Sequence, residues 1–195
     1  GNAAAHHAQA SGLLALAQWI AQATGAAFGY LTEAANTVGA QFVGAQPRQG
    51  GLNAAQMLAG QVKALVLLNV EPEFDSAAGA DAAKGLADVD MVVTLSPFKT
   101  NLDVSDVLLP IAPFTETSGS FVNAEGRVQS FHAVVRPLGD TRPAWKVLRV
   151  LANIMGVPGV EFESSQDVLT RVTAGAAQLP ADQLSNATQA PMNAV

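Results

Sequence analysis

The chain contains no cysteine. That excludes disulfides, a thiolate-ligated iron–sulfur cluster and a cysteine nucleophile anywhere within its 195 residues. Histidine is almost as scarce. His6 and His7 stand together near one end, His132 is remote from them, and no four-ligand set has zinc-like spacing. Basic residues are few, 10 Lys and Arg against 16 Asp and Glu, for a formal net charge of −6. Nucleic-acid partners are excluded on that ground, because phosphate binding needs a concentrated basic surface. No apolar run approaches the roughly 20 residues that a membrane span requires, so no direct membrane insertion is expected. Gly1–Ser11 lacks the basic and apolar regions of a signal peptide. The glycine-rich stretch Gly44–Gly51 lacks Walker spacing, which excludes a P-loop. What the chain does have is an apolar fraction of 49%. At this length a folded chain buries about 70% of its unfolded surface, enough for a real core.

The apolar residues fall into two patterns. Leu13, Leu16, Ala17, Ile20 and Ala23 recur at helical spacing, which predicts a helix from a Ser11 cap to about Thr24, stopped by Gly25. A helix over Leu52–Leu58 follows from Asn53 as its cap, and an Ala-rich helix is predicted from Asp75 or Ser76 to near Asp88. Between them lie short continuous apolar runs. Strands are predicted at Ala26–Leu31, Lys63–Asn69, Asp90–Leu95 and Asp106–Leu109, of the kind buried on both faces of a parallel sheet. Gly119–Val122 and Arg127–Phe131 read as a hairpin turning at Asn123-Ala-Glu-Gly126. Pro143 opens a helix to Met155 with Gly156 as its stop, and Ser165 caps another to about Thr173. Trp19 and Trp145 are expected in the core on helical apolar faces.

The fold class is therefore α/β: a mainly parallel, Rossmann-like layered sheet with helices on both faces, plus a β-hairpin. Residues 1–158 form the α/β domain, and 159–195 a helix with a linker towards a missing C-terminal part.

One stretch is more specific. Asp106-Val-Leu-Leu-Pro110, then Glu116-Thr-Ser-Gly119-Ser-Phe-Val-Asn123-Ala-Glu125-Gly126-Arg127-Val-Gln129, resembles the molybdopterin oxidoreductase superfamily without a gap over about two dozen positions. Within it the chain looks like the C-terminal half of the large iron–sulfur subunit of bacterial NADH:quinone oxidoreductase, complex I. Three segments carry that resemblance: Leu31-Thr-Glu-Ala-Ala-Asn36-Thr-Val-Gly39-Ala, Pro113-Phe-Thr-Glu-Thr-Ser-Gly119 and Pro137-Leu-Gly-Asp-Thr-Arg-Pro-Ala-Trp145-Lys-Val-Leu. The resemblance implies a structural domain in the arm that passes electrons from NADH to quinone, coupled to proton translocation. It implies 2Fe–2S and 4Fe–4S clusters on N-terminal domains absent here, and no cofactor in this fragment. The partners it implies are the other peripheral-arm subunits and the remaining domains of the same subunit, on the cytoplasmic side of the bacterial inner membrane. The alternative is a cofactor-binding segment of a molybdopterin-dependent enzyme such as a formate dehydrogenase.

The residues at which a vestigial cleft would show are Glu71, Glu116, Gly119, Asn123, Glu125, Gly126 and Arg127. Glu71-Pro72 follows a strand where cofactor-binding relatives often have Asn before Pro, and Ser96-Pro97 stands where an Asp is usual. Both departures argue against a pterin dinucleotide. Arg127 is expected to hold a carboxylate from an at least partly buried, structural position rather than to bind phosphate. Glu33, Asp103 and Glu116 are expected to be solvated or capping acids near strand ends. Ser118, Ser120 and His132 hold the ingredients of a Ser–His pair without a nucleophile-elbow pattern, so no hydrolase is expected. No catalytic residue and no metal ligand is expected in this fragment.

Overall fold

The computed structural model describes residues 4, 7–29 and 31–174. They fall into two compact units, one built from the chain up to Ala45 together with Phe121–Gln129, the other from Gln46–Ser120 with Ser130–Ala174.

In the first unit, helix α1 (Ala10–Thr24) starts from Gln9, with Ser11 inside its first turn rather than at the cap. It ends as expected at Gly25, whose φ of 69° is the left-handed conformation that glycine adopts without steric cost. Only Ala15 of this helix is buried. Trp19 is 54% exposed, so its expected place in the core is corrected: it stands one helical turn after Ala15 on the same face, but the described residues leave more than half of its large side chain uncovered. The strand expected at Ala26–Leu31 is also corrected. Its described residues, 26–29 and 31, form no ladder. The run Ala-Ala-Phe-Gly has strand-like apolarity, but among the described residues no strand lies beside it to receive its N–H and C=O groups. Helix α2 (Thr37–Phe42) completes this unit with the hairpin tip.

The second unit holds the sheet. Helix α3 (Ala54–Leu58) begins with a reciprocal capping box between Asn53 and Gln56. Strand β1 (Ala64–Leu68) follows, then two short helices, α4 (Pro72–Asp75) and α5 (Asp81–Leu86). The single Ala-rich helix expected here is broken: Ser76 Oγ donates to Pro72 O at 2.6 Å and closes α4, and Gly79 turns the chain at φ 53°. Strands β2 (Met91–Ser96) and β3 (Val107–Pro110) lie parallel to β1 in the order β1-β2-β3. Val66 faces Val93, which faces Val107, so the register is continuous across all three strands.

Helices α3 and α5 cover one side of this sheet. Leu65, Leu67 and Val92 pack there with Leu86, and Met57, Leu58 and Val62 border them. Burial along β1 alternates, with Val66 and Leu68 nearly half exposed. The expectation of burial on both faces of this strand is thereby corrected. β1 is an edge strand, and alternate side chains of any strand point to opposite sides of its sheet. β2, in the centre, matches the expectation better, with Val92, Thr94 and Leu95 buried to 1% exposure or less.

After β3 come a 3₁₀ turn (Phe114–Glu116) and the antiparallel hairpin of β4 (Gly119–Val122) and β5 (Val128–Phe131). Helix α6 (Ala144–Ile154) is led in by Pro143, and Gly156 follows it at φ 71°. Helix α7 (Ser165–Ala174) is capped one residue earlier than expected. Ser164 Oγ accepts from the Asp167 N–H at 3.1 Å, and Asp167 accepts from the Ser164 N–H at 2.9 Å. The linker expected from Gln178 onward lies outside the described residues.

Two outcomes follow from these contacts. A methyl group on Gly85 would come within 1.9 Å of Leu58 O, where α5 crosses the end of α3. Gly85→Ala should therefore destabilise the protein by about 1–3 kcal/mol in denaturant unfolding, despite alanine's better helix propensity. The Ser164 hydroxyl and the Ser164 and Glu163 N–H groups hold Asp167 below the usual carboxylate range. A depressed acid contributes stability that is present above its unfolded pKa and lost as pH falls through its folded value. Amide shifts of Ser164 and Asp167 should stay constant through the ordinary carboxylate range and move only at lower pH. Asp167→Ala should remove that transition.

Candidate functional site

The hairpin tip carries four of the residues named in advance, and its backbone shows why they occur in that order. Asn123 Oδ1 accepts from the N–H groups of both Glu125 and Arg127, at 3.0 and 2.9 Å. Asn123 N–H donates to Arg127 O at 3.1 Å, and Gly126 N–H to Asn123 O at 2.9 Å with Gly126 at φ 79°. The tip is thus an asparagine-organised turn whose glycine takes the left-handed position. Arg127 contributes its backbone. Its side chain is exposed and forms none of the ion pairs among the described residues, so the expected buried carboxylate pair is corrected.

The same unit gives Asn36-Thr-Val-Gly39 its structural role. Asn36 Oδ1 accepts from the Val122 N–H at 2.8 Å, beside a buried Val122 side chain. The Asn36 carboxamide reaches it by passing over Gly39, where a Cβ would lie 2.0 Å from Asn36 Oδ1. Glycine is required three residues on because the amide fills the space a side chain would need.

In the second unit Glu116 is a tie, not a ligand-facing acid. Its Oε2 accepts from the Leu138 N–H at 2.9 Å, while Thr115 O accepts from the Val134 N–H at 2.8 Å. Gly119 lies beneath the Phe131 ring, and a Cβ there would sit 2.6 Å from it. Around these residues is a hollow of about 230 Å³ whose walls include Ser118, Ser120, His132, Trp145 and Leu169. It brings the serines and His132 to one place, yet Ser120 Oγ pairs with Ser130 Oγ at 2.7 Å and no serine hydrogen-bonds to His132.

Glu71 lies elsewhere, at the end of the sheet where ligands of parallel α/β folds bind. A cleft of about 150 Å³ opens there beyond β1 and β2, lined by Glu71, Glu73, Phe74, Asn101, Leu102 and Asp103 among others. Its loops are tied together. Asn101, at φ 55°, donates from Nδ2 to Val70 O at 2.9 Å, and Asp75 accepts from the Glu71 N–H at 2.7 Å. No Lys or Arg lines it. A pyrophosphate group placed among Glu71, Glu73 and Asp103 would meet like charge, at about 4 kcal/mol per pair of unit charges 4 Å apart and an effective dielectric near 20. The donor set therefore does not fit the dinucleotide end of a pterin cofactor. Among the described residues, no group of three or more His, Asp or Glu is arranged to hold a metal ion. The structure brings Glu71 together with Asp103. Glu116 and Gly119 are not part of this cleft, and the hairpin-tip residues belong to the other unit. Sequence reasoning missed Phe74, Asn101 and Leu102, whose only signal was their position just past strand ends.

The sheet order, the strand-end cleft and the hairpin define a layered α/β segment. The sequence model of the family described as molybdopterin oxidoreductase matches residues 1–154, and the chain belongs to that family. It is 35% identical over 126 residues to the alpha subunit of the F420-dependent formate dehydrogenase 2 of Methanococcus maripaludis, covering 62% of this chain and 19% of that protein. It is 38% identical over 69 residues to a Staphylococcus aureus protein named provisionally as a formate dehydrogenase, covering 35% of this chain and 7% of that one. Among solved structures, the acetylene hydratase of Pelobacter acetylenicus matches at 24% identity and a TM-score of 0.49, over 62% of this chain and 18% of that one. The chain spans less than a fifth of the length of these curated relatives.

The two motif asparagine and arginine positions make opposite expectations. Asn36→Ala strands the Val122 N–H and should cost about 1–3 kcal/mol in chemical denaturation. Arg127→Ala should change stability by no more than about 0.5 kcal/mol. A larger loss at Arg127 than at Asn36 would reverse the roles argued above.

Proposed function

We propose that this chain is a scaffold segment of the large subunit of a multi-domain molybdopterin-family oxidoreductase, supporting neighbouring redox domains and carrying no redox centre itself. The observation that carries the reading is the cleft at the carboxyl end of the sheet, which is lined by Glu71, Glu73 and Asp103 and by no Lys or Arg and so would repel a phosphate. The lack of cysteine and of a clustered ligand set among the described residues supports it further.

Two particular assignments stand within the family. The first is the iron–sulfur large subunit of NADH:quinone oxidoreductase. The three motif segments and the departures at Glu71 and Ser96-Pro97 support it. On this reading the clusters sit on other domains of the subunit, and the partners are those domains and the other subunits of the peripheral arm. The complex works on the cytoplasmic side of the bacterial inner membrane. The second is a segment of a formate dehydrogenase type of enzyme, with a bound molybdopterin. The curated relatives favour this one, since those reported above carry formate dehydrogenase names and the family match adds nothing particular to complex I. Sequence likeness thus favours the second assignment, and the chemistry of the cleft favours the first.

The test is metal and pterin analysis of the parent protein, purified from the cells that make it. The scaffold reading expects iron without molybdenum, tungsten or a fluorescent pterin oxidation product, together with NADH-dependent electron transfer. One pterin and one metal per subunit, with formate oxidation, would establish the second assignment instead.

A further inference from the structure

The strand-end cleft has a property that its charge does not explain. Phe74 is 75% exposed and Leu102 59% exposed, and both line it. Phe98, two residues past the end of β2, is 67% exposed. Scattered apolar residues are ordinary on a protein surface, but Phe74 and Leu102 line one cleft and form an apolar patch there. Covering each such side chain would remove its apolar surface from water, which favours association. The loops that present them are braced by the Asn101 bond to Val70 and the Asp75 bond to the Glu71 N–H, so the patch is formed in advance. Its border is of one sign: within residues 71–75 and 97–104 there are four acids, Glu71, Glu73, Asp75 and Asp103, and one base, Lys99.

We infer that this surface docks a segment of a neighbouring protein domain that is itself cationic and apolar at its centre. A leucine or aromatic side chain of that segment seats against Phe74 and Leu102, and its Lys or Arg residues lie over Glu71, Glu73 and Asp103. The arrangement is that of a binding hot spot, an apolar anchor inside a charged rim. The anchor sets the rate of dissociation, and the rim sets the rate and specificity of association. A second copy of this chain does not fit, because two such faces would bring acid against acid. The sign of the rim also excludes nucleic acid and anionic lipid. A bare cation would answer the carboxylates and leave Phe74 and Leu102 in water. The inference rests on the scaffold reading, since a pterin nucleotide in this cleft would occupy the same space.

The experiment is site-specific photocrosslinking in the parent protein, in the cells that make it. Benzoylphenylalanine replaces Phe74, and the linked peptide is identified by mass spectrometry. The expected result is one peptide with more Lys and Arg than Asp and Glu, joined at or next to a large apolar residue. In the Glu71→Lys, Glu73→Lys background the yield should fall several-fold. Glu73 is exposed and the Glu71 side chain makes no capping hydrogen bond to its helix, so an unchanged melting temperature shows that the fold persists. No crosslink, a crosslink to a neutral or acidic segment or to a second copy, or a yield indifferent to charge reversal would each overturn the inference. Pterin analysis of the same preparation separates the two failures. Bound pterin sinks the scaffold reading, whereas absent pterin without a crosslink sinks the docking surface alone.

Discussion

Asp106 binds β2 to β3 at the point where their ladder begins, and much of the second unit depends on that lock. Its carboxylate accepts from the Val92 N–H at 2.7 Å, and its own N–H donates to Val92 O at 2.9 Å. One residue thereby closes a ring with Val92 and fixes which residue of β3 faces which of β2. A slip of one position would turn every side chain of a strand to the other face. With the register set, Val92 falls into the core with Leu65, Leu67 and Leu86. Thr94, wholly buried, finds its hydroxyl partner in Ser105 Oγ at 2.7 Å, so the central strand carries a polar group without leaving it unpaired. The strand ends, and therefore the loops that make the cleft, follow from the same alignment.

Those loops combine two features that are rarely useful together. A cleft meant for a phosphate needs free N–H groups and cations, yet here the Glu71 N–H is already taken by Asp75 and the side chains around it are acids. A surface meant to stay in water does not gather phenylalanine and leucine at its centre. Acid around an apolar middle suits neither a nucleotide nor bulk solvent, and it is consistent with a protein neighbour. Family membership sets the frame for this argument without deciding it, since folds of one superfamily host different chemistry at the same place.

How much could be read in advance varied with the range of the forces involved. The capping of α3 by Asn53, the stop of α1 at Gly25 and the turn at Gly126 were legible, because each rests on a few consecutive residues and a backbone angle that only some residues adopt readily. The three parallel strands were legible from their apolar runs. The strand expected at Ala26–Leu31 came from the same signal, yet its described residues join no ladder, because apolarity alone does not supply a partner strand. Trp19 was misread for a related reason: helical spacing says which residues share a face, not whether anything covers it. At the cleft, Glu71 was legible as a departure from a pattern. Phe74 and Leu102 were not, since an exposed phenylalanine and a buried one look alike in a sequence.

The residue order by itself determined that no thiolate centre and no P-loop could be present, that short strands alternate with helices, and that Asn123 to Arg127 would turn. These depend on composition or on neighbours a few bonds apart. Only the tertiary structure decided that Asn36 reaches across Gly39 to the Val122 N–H, that Gly85 must be bare beneath Leu58 O, and that Arg127 stands exposed. It also decided that Glu71 meets Asp103 across a cleft while Glu116 is bound to Leu138 instead. Each of these joins residues well separated along the chain, and such meetings are set by how the elements pack, which local sequence does not encode.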